Sequence, residues 1–340
     1  MAETVTQQCN GCTGEKRLGA RYMIRSIPLL SALTAGLLLS ACGETKSTAP
    51  AGSWQAEMGK IRVAVRNDEA DPDNVARWTG YREHLKDITG LDVETFEASD
   101  YNGVIQAISS GQVDIATMGG GSYANVDAQV GSKVRPFLTI RQAEGGLGYY
   151  SALIVKADSP YRTLDELKGK SIAYVDFNST SGYIFPRDTL LKQGYDPEKH
   201  FAKAIMAGGA SQALLAVVNG RVDAAMTTVS AGTPETGFAA GSHITLARSG
   251  MINAGDVRII WTAGPIANSP YVIRTDRPQA FQDVIRGAFA MLPYEKPQVW
   301  DDMGQAPGND FAPVSRDNYT DIIAIRDREI KARRKGGGGK

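Results

Sequence analysis

The sequence predicts an α/β protein of two lobes, joined by two crossing strands around a hinged cleft. Three observations predict it. The chain has 340 residues, more than one ordinary domain needs. Its composition, 42% apolar and 22% charged, is that of a globular body rather than a disordered or membranous one. From Ile61 onward, short β-branched runs alternate with segments of helical spacing, the pattern of parallel sheets built from βαβ units.

In chain order, Ile61–Val65 reads as the first strand, and Val75–Thr89 is amphipathic and stops at Gly90. Val93–Phe96 is a second strand. Tyr101–Ser110 carries Val104, Ile105 and Ile108 at helical spacing and is closed by Gly111. Val113–Met118 is a third strand that runs into Gly119, Gly120 and Gly121. Tyr149–Lys156 follows, and then a capped helix over Thr163–Lys170, with Thr163 at the N-cap and Glu166 at the capping-box position. Ser171–Val175, Ala204–Ala207 and Ala224–Thr227 supply three more strands, with Tyr183–Lys192 a helix between the first two. Val257–Trp261 and Tyr271–Thr275 are strands, and helices over Gln279–Leu292 and Asn318–Arg333 finish the chain. This pattern assigns residues 58–156 and 266–335 to a discontinuous first lobe and 157–265 to a second. Open α/β sheets bind ligands at the carboxyl ends of their strands, and two such lobes enclose a ligand by hinge closure.

The ends carry other information. Met23-Ile24-Arg25-Ser26 precedes an apolar run from Ile27 to Leu39, the layout of a secretory signal peptide and too short to span a bilayer comfortably. Leu39-Ser40-Ala41-Cys42 looks like a bacterial lipobox, in which Cys42 is lipidated. Residues 23–42 are therefore read as a lipoprotein signal, 43–57 as a flexible polar tether, and 1–22 as a non-native or unstructured extension. Cys9 and Cys12 form an isolated CxxC without a second pair, and no cysteine follows Cys42. Residues 336–340, within the basic, glycine-rich end KARRKGGGGK, read as a disordered tail.

The segment richest in binding chemistry is Val175-Asp176-Phe177-Asn178-Ser179-Thr180-Ser181-Gly182-Tyr183. A buried strand ends at its start and a helix begins at its end. Three hydroxyls and several free backbone N–H groups thus meet at a helix N-terminus, whose partial positive charge suits a compact anion. An ordinary N-cap needs only one such hydroxyl. Lys+Arg and Asp+Glu are equal at 37 each, so an anion would be held by local donors rather than by bulk charge, and no field favours nucleic acid.

The same segment resembles the signature of the phosphonate-binding periplasmic family, the substrate-binding component of phosphonate, phosphite and phosphate ABC importers. Further segments match in the family's order. They are Asp100-Tyr101-Asn102-Gly103-Val104-Ile105-Gln106, Gly111-Gln112-Val113-Asp114-Ile115-Ala116, Gly148-Tyr149 through Val155 with Asp158-Ser159-Pro160, and Ala216 through Ala225. The resemblance spans roughly residues 60 to 328. It implies a type II periplasmic binding protein fold, an ABC permease with its ATPase as partner, a monomer anchored to a membrane through Cys42, and no cofactor. It also implies that Ser179, Thr180, Ser181, Tyr101 and Tyr149 hold a small phosphorus oxyanion. A Tyr O–H donates to a phosphoryl oxygen while its ring excludes water.

Three positions depart from the family. A His stands in phosphonate binders where this chain has Ala210, and acids stand where it has Ser230 and Ser269, with Ser211 and Asn268 as polar neighbours of the first and last. The two acids would pair with a ligand ammonium, so their loss predicts a ligand without one, such as phosphite, an alkyl phosphonate or phosphate.

An enzyme is the rival reading. The chain has no GxxxxGK[ST] loop, and Met118-Gly119-Gly120-Gly121-Ser122 lacks dinucleotide spacing. None of His84, His200 and His243 lies near a nucleophile motif, and no cluster has metal-ligand spacing. A sensory lipoprotein that signals to a membrane receptor would use the same binding chemistry.

Overall fold

In a computed structural model of the chain, residue 50 and residues 52–66 and 76–336 are described, with side chains as far as 331. The extension, the signal segment, Cys9, Cys12 and Cys42 lie outside the described residues. Twelve strands run in chain order: β1 (Lys60–Arg66), β2 (Asp92–Ala98), β3 (Ile115–Thr117), β4 (Val134–Arg141), β5 (Gly148–Lys156), β6 (Ser171–Tyr174), β7 (Lys203–Met206), β8 (Ala224–Thr233), β9 (Gly237–Gly241), β10 (Val257–Ala267), β11 (Pro270–Arg274) and β12 (Asp310–Pro313). They form two sheets. The first has the order β12-β4-β11-β3-β1-β2, and the second β10-β5-β8-β6-β7 with β9 paired to β8.

The helices that cover the sheets are α1 (Trp54–Met58), α2 (Thr79–Thr89), α3 (Tyr101–Ser110), α4 (Gly120–Val130), α5 (Phe185–Lys192), α6 (Pro197–His200), α7 (Ala210–Val218), α8 (Ser242–Arg248), α9 (Gln279–Glu295), α10 (Pro297–Asp302) and α11 (Thr320–Gly336). α3 shows why the sequence folds this way. Asp100 caps it by accepting from the Gly103 amide at 2.8 Å, Val104, Ile105 and Ile108 are buried, and Gly111 ends it at φ 83°, where other residues are strained. One apolar core, with Tyr81, Phe281, Phe289 and Trp300, lies on the outer face of the first sheet. Another contains Ile105 and Tyr123 together with Leu153, Tyr174 and Ile184, and with Tyr319 of the turn before α11 and Ile322 of α11, so the lobes share buried surface.

Five expectations change. β5 was read as closing the first lobe. It instead pairs antiparallel with β8 and β10, and its buried Ala152–Val155 run needs a strand on each side. The chain therefore crosses between lobes before Gly148 and returns after Ala267. Trp54–Glu57, given to the tether, form α1 together with Met58, and Trp54 packs on Phe281 with ring centroids 5.9 Å apart. The Thr163–Lys170 helix shrinks to one 3₁₀ turn, Asp165–Leu167. Glu166 does accept from the Thr163 amide, but Lys168 turns extended and Gly169 takes φ 75° to lead into β6. The helix expected from Tyr183 begins with a π turn over Thr180–Ile184. The final helix runs on through Gly336, the first residue given to the tail.

The two G-x-V-D-x-A segments have a structural role. Asp114, fully buried, accepts from the Arg62 amide of β1 at 2.9 Å and from Arg277 Nε at 2.7 Å. Asp223 accepts from the Ser171 amide of β6 at 2.8 Å and from the Ser171 hydroxyl at 2.6 Å. Each carboxylate thus clamps the start of the neighbouring parallel strand. Burial would raise the Asp223 carboxyl, but the Ser171 hydroxyl and amide outweigh it and leave it lowered.

Asp114→Ala is expected to lower unfolding free energy by about 3–5 kcal/mol, since it leaves a guanidinium and an amide without their buried partner. Urea denaturation measures this, and a loss within error of zero would contradict the clamp. For Asp223 the lowered folded-state pKa means that its stabilisation is present above the unfolded pKa and disappears as pH falls through the folded one. The wild type should therefore lose more stability than Asp223→Asn between neutral and acid pH, read from denaturation at both.

Candidate functional site

The strand β6 delivers Val175 to the interface, and the chain from Asp176 to Ser179 then turns back on itself before the π turn. Ser179 caps that turn, its Oγ accepting from the Gly182 amide at 3.1 Å. A π turn widens the first coil, and Thr180, Ser181, Gly182, Tyr183 and Ile184 are all buried in it. Gly182 is required here: a Cβ on it would sit 2.3 Å from Val175 Cγ2.

The opposite wall is the N-terminus of α4. Gly121 donates its amide to Thr180 Oγ1 at 2.8 Å, and Ser122 donates its hydroxyl to the Asn178 carbonyl at 3.2 Å. Gly121 has no room for a Cβ, which would meet Ile184 Cδ1 at 2.5 Å and the Asn178 carbonyl at 3.0 Å. The triple glycine, read in the sequence only as a failed dinucleotide loop, is what lets two helix starts approach face to face. Glycines directly after a strand signal close backbone approach, and that signal was present.

Asn178 is the second residue that sequence reasoning passed over. Its side chain donates to Asn102 Oδ1 at 2.9 Å and accepts from Asn125 at 3.2 Å and from Arg326 at 2.7 Å. These partners lie on α3, α4 and α11, so one amide ties the loop to three helices.

A cleft of about 1050 Å³ opens beside this loop. Ser179, Thr180, Ser181, Tyr101, Tyr149, Ser230 and Ser269 line it, while Ser211 is not among the lining residues. Ala210 and Asn268 line it as well. Tyr149 comes from β5, one residue past the first crossing. The residue is half-buried, and desolvation pushes its hydroxyl up to about 12 against the opposing pull of the Thr180 and Ser181 hydroxyls, with Tyr101 adding to the rise. It therefore remains a protonated donor. The Arg66 guanidinium stacks over the Tyr101 ring, 4.7 Å from its centroid. Ser269 follows the second crossing, and its carbonyl accepts from the Thr139 hydroxyl at 2.9 Å. Beside it, Asn268 donates to the carbonyls of Leu147 and Ile140, and Tyr319 donates to the Asn268 carbonyl at 2.9 Å. The two crossings are thereby bonded to each other and to the turn that leads into α11. Among the described residues no group of His, Cys, Asp and Glu is placed to hold a metal ion.

The architecture and the wall of hydroxyls can be set beside known proteins. The chain matches the family described as "ABC transporter, phosphonate, periplasmic substrate-binding protein" over residues 64–319. It belongs to that family. It is 31% identical to the phosphate-import protein PhnD of Mycolicibacterium smegmatis over 253 residues, covering 71% of this chain and 74% of that protein. It is 28% identical to the phosphonates-binding periplasmic protein of Escherichia coli over 254 residues, covering 73% and 71%. A solved structure from Prochlorococcus marinus, in complex with methylphosphonate, shares the fold at a TM-score of 0.65 and 17% identity, covering 80% of this chain and 99% of that one. The chain is thus a phosphonate-type substrate-binding protein of an ABC importer, and the family acts on the extracytoplasmic side of the membrane.

Gly182→Ala is expected to cost about 1–3 kcal/mol in stability, the usual range for overpacking a closed site. Thermal melting checks it, and an unchanged midpoint would show that Val175 moves aside without strain.

Proposed function

We propose that this cleft captures a small phosphorus oxyanion that carries no ammonium group, and passes it to the permease of an ABC importer. One observation carries the reading: Ser179, Thr180 and Ser181, at the first turn of a helix, share one cleft with Tyr101 and Tyr149 and with uncharged side chains at 210, 230 and 269. The hydroxyls and the helix start supply donors and a positive end for phosphoryl oxygens. Ser230 and Ser269 leave a ligand ammonium without a charge partner in a partly dry cleft, which is costly. The relatives support the ligand class. One is named for phosphate import, one for binding phosphonates, and one is solved with methylphosphonate.

In this reading the anion lands on Ser179-Thr180-Ser181, Tyr149 and Tyr101 close over it from the crossing and from α3, and the permease engages the closed form. The chain performs no chemistry on the ligand. It works as a monomer held at the membrane through lipidated Cys42.

Two measurements test this. The double variant Thr180→Ala, Ser181→Ala should weaken methylphosphonate or phosphate binding at least about a hundredfold, since two hydrogen bonds to a charged group are each worth about 1.5–3 kcal/mol. It should still melt cooperatively, and an unchanged affinity by calorimetry would remove the cradle from the site. Methylphosphonate should also bind at least about tenfold more tightly than 2-aminoethylphosphonate, a margin of about 1.4 kcal/mol. The reverse order would refute the exclusion of amines.

A further inference from the structure

We propose that the cleft takes an organophosphonate whose short substituent ends in a carboxylate, and that Arg248 holds that carboxylate. This rests on the proposed function and names the part of the ligand that lies beyond the phosphoryl group. The cleft is larger than the cradle requires. Its volume of about 1050 Å³ is on the scale of sites that enclose ligands well beyond a single phosphoryl tetrahedron. Its second-lobe wall can be followed away from the cradle through the strand pairings. β6 pairs with β8 at Ala224 and Ala225, and β5 holds the other edge of β8 as far as Val229. Further along, the edge that β6 has left pairs with β9, Val229 facing Gly241 and Ser230 facing Ala240. β9 therefore continues the row of β6 towards the cleft, where Ala239 and Ala240 line it.

α8 starts directly after β9, where Ser242 Oγ accepts from Thr227 Oγ1 at 2.7 Å. Arg248 is the last residue of α8, six residues or about 9 Å of helix from that bond, and it also lines the cleft. It belongs to the wall beyond the cradle rather than to the cradle itself. Among the described residues Arg248 has no ion pair and no hydrogen-bond partner, and it is exposed. The other guanidinium of the lining, Arg66, is already stacked on Tyr101. Among the described lining residues Glu144 is the one carboxylate. It is exposed on the first-lobe side of the crossing, in a turn closed by the Gln142 amide donating to the Gly146 carbonyl at 2.9 Å. The second-lobe wall thus offers hydroxyl donors to a phosphoryl group and, further out, a positive charge without a protein partner. A guanidinium is a planar fork of donors that pairs with a carboxylate bidentately, and the two charges cancel. The same charge repels a ligand ammonium, in keeping with the uncharged side chains at 230 and 269.

The test is calorimetric titration of the wild type, Arg248→Gln and Arg248→Lys with phosphonoacetate and 3-phosphonopropionate. Each is set beside the alkyl phosphonate in which two methyl groups replace the carboxylate oxygens. In the wild type at least one of the two carboxylates should bind about tenfold or more tightly than its alkyl counterpart, the margin of one charge-assisted pair. Arg248→Gln should remove that margin, and Arg248→Lys, which keeps the charge but not the fork, should retain part of it. Alkyl counterparts that bind as tightly as both carboxylates would overturn the inference, as would a margin that survives Arg248→Gln. An equal loss on carboxylate and alkyl ligands would overturn it too, since Arg248 would then serve the protein and not the substituent. In all three cases phosphonate capture by the cradle still stands. Failure of every phosphonate to bind the wild type would instead overturn the proposed function.

Discussion

A single carboxamide holds the binding loop against the rest of the protein. Asn178 donates one amide proton to Asn102 and accepts on its side-chain oxygen from both Asn125 and Arg326, while its own main-chain N–H goes to Asp176 and its main-chain carbonyl accepts from Ser122. In a buried setting such a network is worth most when every member is satisfied. Here it fixes the direction in which Ser179, Thr180 and Ser181 leave the loop. Arg326 matters for the same reason, since it also donates to the Phe177 carbonyl at 3.0 Å and so holds two consecutive residues from the far end of the chain.

In the proposed reading the anion would rest on uncharged donors at the loop, with Arg66 and Arg248 elsewhere in the cleft lining. The chain's charges balance at 37 of each sign, and one of the guanidinium groups that line the cleft, Arg66, lies over an aromatic face. In that reading attraction would come from main-chain dipoles at two helix starts that the glycines of α4 allow to meet. Such dipoles are fixed before the ligand arrives and need no reorganisation when it does. They are also short-ranged, so the site gains discrimination by geometry and by hydrogen-bond bookkeeping rather than by long-range steering.

Much of this could be read in the sequence, and the exceptions have clear physical causes. The strand-helix alternation predicted both sheets because parallel strands buried on both faces are continuous apolar runs. The Ser179-Thr180-Ser181 cluster and the two tyrosines were legible as chemistry, and all of them line the cleft. The placement of β5 was not legible. A strand at a crossing belongs to whichever sheet supplies its neighbours, and those neighbours, β8 and β10, lie far along the chain. Asn178 was invisible for the same reason. As an isolated letter it is one more cap-forming residue, and its role appears only when Asn102 and Arg326 are brought to it from opposite ends of the fold. The π turn was missed because its residues read equally well as the first turn of an α-helix.

The paired aspartates bear on how such a molecule can move. Among the described residues the Asp114 carboxylate is paired with Arg62 and Arg277, in the first sheet and its flanks, and the Asp223 carboxylate with Ser171 and Tyr161 of the second lobe. Neither clamp reaches across the cleft. Each half is therefore a stiff plate with its own rivet, placed at the equivalent strand junction in both. Any swing of one plate relative to the other would load the crossings around Asn268 and the loop at Asn178, and would leave the strand pairing within each plate as it was.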